Sequence, residues 1–201
     1  MIQRRGWLDH WWLRCRVGVK CARFARRPAE ANLVERSILW ADGFSGSVLA
    51  ESVARIMDST RLLGLATSSI DGSPTVCNVY FAYDERFRIY FLTPPSSEHI
   101  KNIERDPRVA ASVADTQQTG DGGKRGLQIV GQAERAVGLM LEQGLEAYRE
   151  RFPASAAQLM SETTLEESGW ESRIYVITPK HIKIFDEPRF GEEQWISAKL
   201  Q

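Results

Sequence analysis

Residues 86–109, RFRIYFLTPPSSEHIKNIERDPRV, decide the fold, because they read as a strand, a loop of small residues and a short helix that stops at Asp106-Pro107. The loop carries the hydroxyl groups of Thr93 and Ser97 into the predicted helix start. Backbone N–H groups at a helix start lack partners within the helix, and the helix dipole is positive there. Phosphate groups commonly bind at such a position. We therefore expect the phosphate of any cofactor to bind in this loop.

Further strand and turn signals flank this stretch on both sides. On its N-terminal side, the turn sequence Asp71-Gly72-Ser73-Pro74 joins two apolar segments that are typical of strands. On its C-terminal side, Gly131 lies inside a strand-like segment and predicts a bend, a bulge or a close backbone approach. Pro179 separates the last two predicted strands. The predicted strands cover residues 62–68, 75–83, 87–93, 109–114, 127–134, 172–178 and 181–185.

Helical spacing of apolar residues predicts two further helices, at residues 47–58 and 137–152. The first three strands follow one another through short turns, which predicts an antiparallel meander. Six or seven short strands interrupted by helices are typical of an α+β, mainly β, protein built on an antiparallel barrel or sandwich with flanking helices.

Composition and charge exclude several classes of protein. The 201 residues contain 26 Lys plus Arg and 26 Asp plus Glu, so the chain as a whole has no charge bias towards nucleic acid. Three cysteines and three histidines form neither a disulfide framework nor a zinc-site spacing, and we expect no metal site and a reducing, cytoplasmic location. No apolar run approaches the ~18 residues that a membrane-spanning helix needs.

The N-terminal segment differs from the rest of the chain. Residues 1–27 carry eight Lys or Arg residues against the single acid Asp9, together with three tryptophans. This pattern is typical of an amphipathic helix on an anionic membrane surface or partner, and also of a transit peptide. A poorly ordered extension and a start codon placed too far upstream are the alternatives. We predict an extension at residues 1–43 and a domain at residues 44–201.

The short sequence motifs in these elements resemble those of the pyridoxamine 5′-phosphate oxidase-like family. Members of that family share a split β-barrel that binds flavin mononucleotide (FMN). The likeness covers about residues 50–135 and is specific as a combination of short motifs. The matching motifs are Leu65-Ala66-Thr67, Asp71-Gly72-Ser73-Pro74, Tyr90-Phe91-Leu92-Thr93, Ser97, Asn102-Ile103, Asp106-Pro107-Arg108-Val109 and Gly131-Gln132-Ala133.

A second set of motifs resembles the little-characterised YhbP-like branch of that family and extends the likeness to the C-terminus. These motifs are Cys77-Asn78-Val79-Tyr80-Phe81, His99, Gln128-Ile129-Val130-Gly131, Tyr148-Arg149-Glu150-Arg151-Phe152-Pro153, Ile182-Lys183-Ile184, Phe190-Gly191 and Trp195. The branch has no well-established reaction, so this likeness informs the fold more than the function.

The resemblance implies a set of cofactor-binding residues and a homodimer in which two subunits share each flavin. By position in the family motifs, the flavin ring runs along one strand, the phosphate binds in the loop after the next strand, and a polar side chain faces the cofactor from a third. The residues implied are Val76, Cys77, Asn78, Val79, Thr93, Ser97, His99 and Gln128.

The chain departs from the family at the phosphate loop, where Glu98-His99 replaces Arg-Lys. A carboxylate beside a phosphate dianion is repulsive, whereas the family's two cations form charge-assisted hydrogen bonds. Our hypothesis is that a protonated His99 at the helix start, together with Lys101, Lys124 or Arg125, offsets part of this loss. Asn78 needs a hydrogen-bond partner, either a ligand or the backbone across the barrel. Cys77 has no base near it in sequence and is expected to be a packed thiol.

Three functional hypotheses remain open at this point. The first is a homodimeric FMN-dependent oxidoreductase that acts on an unknown small molecule, with the cofactor carrying the redox step. The second is a non-catalytic split-barrel protein that has lost FMN and binds another ligand or a protein. The third is haem binding, for which His99 or His181 would be the axial ligand.

Overall fold

The computed structural model describes residues 39–119, 123–155 and 171–200, and the single positions Ala157, Leu159, Ser161, Glu167 and Gly169. The predictions made for residues 1–27 therefore lie outside the described part of the chain. Eight strands, four α-helices and one 3₁₀ helix (Pro153–Ser155) occur within it. They are β1 (Leu39–Trp40), α1 (Gly46–Ser59), β2 (Leu62–Ser68), β3 (Pro74–Tyr83), β4 (Ile89–Thr93), α2 (Glu98–Arg105), β5 (Arg108–Val113), β6 (Arg125–Arg135), α3 (Leu139–Arg151), β7 (Arg173–Asp186), α4 (Glu187–Phe190) and β8 (Trp195–Leu200).

Six strands close into an antiparallel barrel in the order β7-β4-β3-β2-β5-β6, and β6 pairs back with β7. The other two strands lie outside the ring, since β8 pairs with β7 and β1 pairs with β8. The predicted meander is confirmed, because β2 pairs with β3 and β3 with β4. The α+β barrel with flanking helices is therefore confirmed. The sheet begins at Leu39, which is 2% exposed and precedes the domain start predicted at residue 44.

Two hydrophobic clusters hold the fold together, one on each side of the barrel wall. The first fills the barrel, where inward side chains such as Leu65, Phe81 and Phe91 meet the buried face of α1. The second lies outside the barrel, where α3 covers β4 and β7 around Tyr90 and Leu145. Each fully buried Leu, Ile or Phe side chain stabilises the fold by about 1.5–3 kcal/mol relative to an exposed one.

The barrel is split between β3 and β4. Their ladder covers only residues 81–83 and 89–91, and beyond it the two strands part. The hydroxyl of Tyr148, on α3, enters the gap: it donates to the Tyr80 carbonyl at 2.5 Å and accepts from the Leu92 N–H at 3.0 Å. A side chain therefore takes the place of a ladder hydrogen bond at the split.

Residues 173–186 form one continuous strand, so the prediction of two strands separated by Pro179 is wrong. The ladder between β6 and β7 shifts register here, and Pro179 lies opposite Gly131. A proline lacks the N–H that a ladder needs but is tolerated at a bulge. Lys180 is the extra residue at this bulge, and the alternation of inward and outward side chains reverses across it. Val176, before the bulge, points outward and packs under α3, whereas Ile182 and Ile184, after it, face the barrel interior.

The strand β4 is shorter than expected because Phe87 belongs to the preceding turn. Its φ is +58°, its ring stacks on Tyr83, and it is 6% exposed. An apolar side chain in a left-handed turn keeps its place through burial. No helix among the described residues is long and apolar enough to cross a membrane.

Candidate functional site

The outer surface of strands β3, β2, β5, β6, β7 and β8 forms a continuous face, which we call the outer face. Two rows of directly paired residues cross it, one polar and one mainly of small or apolar residues. The polar row is Asn78, Gly64, Ser112, Gln128, Lys183 and Ser197. The second row is Val76, Ala66, Ala110, Val130, His181 and Lys199, with Trp40 of β1 beyond it.

Gly64 leaves the outer face open between two polar side chains. A Cβ at this position would lie 3.0 Å from Ser112 Oγ and 3.8 Å from Asn78 Oδ1. Without it, a planar group can approach the backbone while the Asn78 amide and the Ser112 hydroxyl remain available as hydrogen-bonding groups. The structure thus provides a surface that fits a flat ring with polar edges.

The four predicted ring-binding residues of β3 fall on opposite faces of the sheet. Val76, 77% exposed, and Asn78 point outward. Val79 is 7% exposed and belongs to the barrel core, against which Cys77 packs. Burial raises the pKa of the Cys77 thiol, as expected for a packed thiol. A ring lying along β3 would therefore meet two of these side chains and the strand backbone.

Gln128 lies on the outer face but does not reach Asn78. Three strand spacings separate the two residues, a distance of about 14 Å. Asn78 and Gln128 therefore lie on the same face but do not contact each other. A ligand that touches both must span the face or lie between two copies of it.

The predicted phosphate residues do come together, around the imidazole of His99. Its Nε2 lies 2.9 Å from Thr93 Oγ1 and 3.1 Å from Ser97 Oγ. We call these three side chains the hydroxyl–histidine cluster. Thr93 is 5% exposed, and Ser97 precedes α2 without capping it through its side chain. Both hydroxyls expected to bind a phosphate therefore have a protein partner already.

Helix α2 places this cluster beside the split in the barrel. Ile100 and Ile103 anchor the helix in the barrel core. Asn102, which is 4% exposed, donates its amide to Thr67 Oγ1 at 3.1 Å and to Thr75 Oγ1 at 3.2 Å. The helix is thus tied to β2 and β3 through Asn102 and to β4 through the cluster. The motif Asn102-Ile103 is explained by this anchoring role.

Burial lowers the pKa of His99, and the neighbouring Glu98 carboxylate raises it by less. The ring is therefore neutral at pH 7. Glu98 itself is exposed in the first turn of α2. As folded, the cluster offers a phosphate dianion two hydroxyls and no cation. The outer face fits a flavin ring, whereas the cluster fits the flavin phosphate only with a protonated His99.

Three basic side chains lie on the outer face at β7 and β8: His181, Lys183 and Lys199. His181 Nε2 is 2.9 Å from Ser197 Oγ. At the end of these strands Phe185 and Trp195 stack with their ring centroids 4.5 Å apart. The sequence did not predict Gly64, Ser112, Lys183 and Lys199 as site residues. The alternation of side chains along a strand shows which neighbours in the same strand share a face with each of them, but it does not show which strands pair with each other.

Among the residues that the structure describes, no group of three or more His, Cys, Asp or Glu side chains is placed so that it could hold a metal ion. An ionic cluster surrounds Asp186, which is fully buried. Ser52 Oγ donates to it at 2.5 Å, and Arg55 and Arg125 lie within 3.0 and 3.3 Å. These contacts tie α1 and β6 to the end of β7.

Solved structures with a similar fold include proteins with different stated functions. A haem-binding protein from Mycobacterium smegmatis aligns with a TM-score of 0.59 and 19% identity, over 75% of this chain and 57% of its own length. The haem storage protein HutZ from Vibrio cholerae aligns with a TM-score of 0.51 and 17% identity, over 64% and 88%. At such identities the likeness shows the fold alone.

A third structure comes from Clostridium acetobutylicum and is described as related to general stress protein 26, of the pyridoxinephosphate oxidase family. It aligns with a TM-score of 0.50 and 12% identity, over 75% of this chain and 94% of its own. No curated protein matches the sequence. The family model described as pyridoxamine 5′-phosphate oxidase matches residues 49–185, more than half of the chain. Assignment to the YhbP-like branch stays a prediction. The chain belongs to the pyridoxamine 5′-phosphate oxidase family.

Proposed function

We propose that this protein is a homodimeric flavoprotein that binds the FMN ring on its outer face and the FMN phosphate at the hydroxyl–histidine cluster. It acts as an oxidoreductase on a small anionic molecule in the cytoplasm. The observation that carries the proposal is the backbone surface at Gly64, which no side chain covers and which we call the open strip. It lies between the Asn78 amide and the Ser112 hydroxyl. A bound flavin would supply the hydride or electron transfer, while the protein positions the ring and the substrate.

The chain's own residues supply binding and orientation. Asn78 offers both a donor and an acceptor to the polar edge of a ring, and Val76 offers an apolar contact beside it. Thr93, Ser97 and His99 receive the phosphate. The ammonium groups of Lys183 and Lys199 favour a substrate with a carboxylate or a phosphate group, because they place positive charge on the same face.

The experiment that tests this proposal is the visible absorption spectrum of the purified protein, with and without added FMN. We expect bound-flavin bands and quenched flavin fluorescence. Gly64→Val should weaken binding at least tenfold, since the branched side chain fills the open strip but suits a strand. Gly126→Val on β6 is the control. A colourless protein that neither quenches nor is stabilised by FMN would favour a non-catalytic split barrel instead.

The homodimer rests on the small and apolar row of the outer face. Val76 and Val130 are 77% and 53% exposed, and the row between them contains only alanines. Paired exposed apolar residues in a flat surface are typical of an interface between proteins.

We predict that Ala110→Arg converts the dimer into a monomer. Ala110 is exposed at the centre of the row, so a charged side chain there disturbs a partner while leaving the folded subunit intact. Sedimentation equilibrium should show at least a hundredfold weaker association, while circular dichroism shows that the subunit remains folded. Gln117→Arg, on an exposed loop, is the control. A variant that remains dimeric would place the interface elsewhere.

Haem binding is the second candidate, and His181 is the observation that favours it. This residue is half-buried on the outer face with Val130 beside it, and Lys183 and Lys199 lie near enough to attract haem propionates. Titration with haem should then produce a Soret band that His181→Ala shifts or abolishes. A band unaffected by His181→Ala and by His99→Ala would dismiss both histidines as axial ligands.

A further inference from the structure

We propose that recognition of the flavin phosphate is coupled to the uptake of one proton by His99, which exchanges its contacts with the Thr93 and Ser97 hydroxyls for contact with the phosphate. This inference rests on the proposed flavin binding and adds what decides the affinity for FMN over flavins without a phosphate. The step forms one N–H bond on the imidazole, and the proton comes from solvent.

The argument begins with the hydrogen bonds of the hydroxyl–histidine cluster. A single nitrogen, Nε2, lies within 3.1 Å of two hydroxyl oxygens. In the neutral tautomer that carries its proton on Nδ1, Nε2 has a single lone pair and is an acceptor shared by the two hydroxyls, so both O–H groups point at the ring and not at an anion. A phosphate dianion is an acceptor and needs donors. An imidazolium that donates from Nε2 releases both hydroxyls to donate as well, so three donors become available together.

The imidazole of His99 is the group in the cluster whose charge can change near neutral pH. Besides His99, the charged residues of α2 are Glu98, Lys101, Glu104 and Arg105. Glu98 acts on His99, and the Arg105 guanidinium donates to the Ser68 carbonyl. Arg173 on β7 lies opposite Thr93 in the ladder, but its guanidinium donates to the carbonyls of Glu171 and Ser172 at 3.2 and 3.1 Å.

Arg135 on β6 acts with Arg173 and Glu104 on the phenol of Tyr175, whose ring stacks on Phe91 next to the cluster. The Phe91 ring in turn lies 6.4 Å from the ring of His99. Of the charged groups on these elements, the Glu98 carboxylate acts on the His99 ring, and the arginines and Glu104 act on Tyr175 or bond to backbone carbonyls. Protonation of His99 is the change that adds positive charge at the hydroxyls themselves.

The direction of the pH dependence follows from linkage. Burial holds the pKa of His99 below its ordinary value in the free protein, and a bound phosphate raises it. Between these two values FMN binding takes up a proton, so affinity falls as the pH rises, by up to about tenfold per pH unit for one proton. Riboflavin has the same ring and no phosphate, so its affinity should not change with pH in this range.

The test measures the dissociation constants of FMN and riboflavin by fluorescence quenching at constant ionic strength, from about pH 6.5 to pH 8, above the second pKa of the phosphate. We expect FMN affinity to fall as the pH rises, by up to about tenfold per pH unit, and riboflavin affinity to stay constant. His99→Gln keeps an amide near the hydroxyls but cannot take up a proton, so its FMN profile should be flat. His99→Lys carries a permanent charge, so it should bind FMN at least tenfold more tightly than the wild type at pH 8, without the slope.

The outcomes separate this proposal from the proposed function. A flat FMN profile in the wild type, or a slope that persists in His99→Gln, overturns the proton coupling while flavin binding stands. Failure of both flavins to bind at every pH overturns the proposed function and this inference with it. A direct readout is the His99 ring signal in an NMR titration, whose midpoint should move to higher pH on addition of FMN.

Discussion

Gly131→Ala is expected to destabilise the protein by about 3 kcal/mol, the upper end of the usual cost of overpacking. A Cβ at this position would contact the carbonyl oxygen of Thr178 and lie 3.0 Å from Pro179 Cα. Both are backbone atoms, so no side-chain rotation relieves the contact. The strand pair β6 and β7 must therefore separate at the bulge or shift its register.

The same substitution should also affect the outer face. The bulge changes the alternation of β7, so that Val176 points outward before it and His181 and Lys183 point outward after it. A register shift by one residue turns every following side chain to the other face. We therefore expect Gly131→Ala to lose ligand binding together with stability.

Urea denaturation followed by tryptophan fluorescence measures this effect, and Gly126→Ala is the matched control. Gly126 lies on the same strand, and a Cβ there would meet Val113 O at 3.6 Å and Ala114 Cβ at 3.8 Å, which are ordinary contacts. The control should change the unfolding free energy by less than about 0.5 kcal/mol. A Gly131→Ala variant as stable as the control would mean that the bulge can open without cost.

The prediction at Gly131 succeeded because a glycine within a strand pattern has few physical explanations. The bulge explains the failure at Pro179 as well. From sequence alone a proline between two apolar runs is read as a break, since it cannot donate to a ladder. The residue that accommodates it, Gly131, lies almost fifty positions earlier in the chain. Local sequence carries each signal but does not reveal that the two residues face each other.

The candidate site also contains one part that the sequence predicts and one part that it does not. The hydroxyl–histidine cluster could be predicted, because Thr93, Ser97 and His99 lie within seven residues of one another around a recognisable helix start. The polar row could not, because it draws one residue from each of several strands. Asn78 was predicted from its chemistry, whereas Gly64 and Ser112 beside it carry no chemical signal of their own. Their role depends on strand pairing, which tertiary structure decides.

The motif Tyr148-Arg149-Glu150-Arg151-Phe152 shows that a recognised pattern can be structural. Arg151 Nη2 donates to the carbonyls of Met57 and Thr60 at 2.6 and 2.5 Å, and its guanidinium lies 4.7 Å from the centre of the Phe81 ring. It joins the end of α1 to the barrel. Burial of polar groups with specific partners makes such residues hard to replace, without any contact to a ligand.

Tyr148→Phe is expected to destabilise the protein by about 2 kcal/mol, because two backbone groups lose one shared partner. The Tyr148 side chain is buried, and burial raises the pKa of its phenol well above the ordinary value, so the hydroxyl is a donor at every relevant pH. Without it, the Tyr80 carbonyl and the Leu92 N–H have no ladder partner across the split. The apolar ring remains and creates no cavity.

Tyr83→Phe is the matched control, since it removes a hydroxyl that bonds to Asp58 at 2.8 Å near the surface. Water can replace that partner, so we expect a loss of less than about 1 kcal/mol. Thermal unfolding of both variants at pH 7 compares them directly. Equal losses would indicate that water enters the split and replaces the Tyr148 hydroxyl. A larger loss in Tyr148→Phe, with faster hydrogen exchange at Leu92, would show that this hydroxyl holds β3 and β4 at the separation that Thr93 and His99 require.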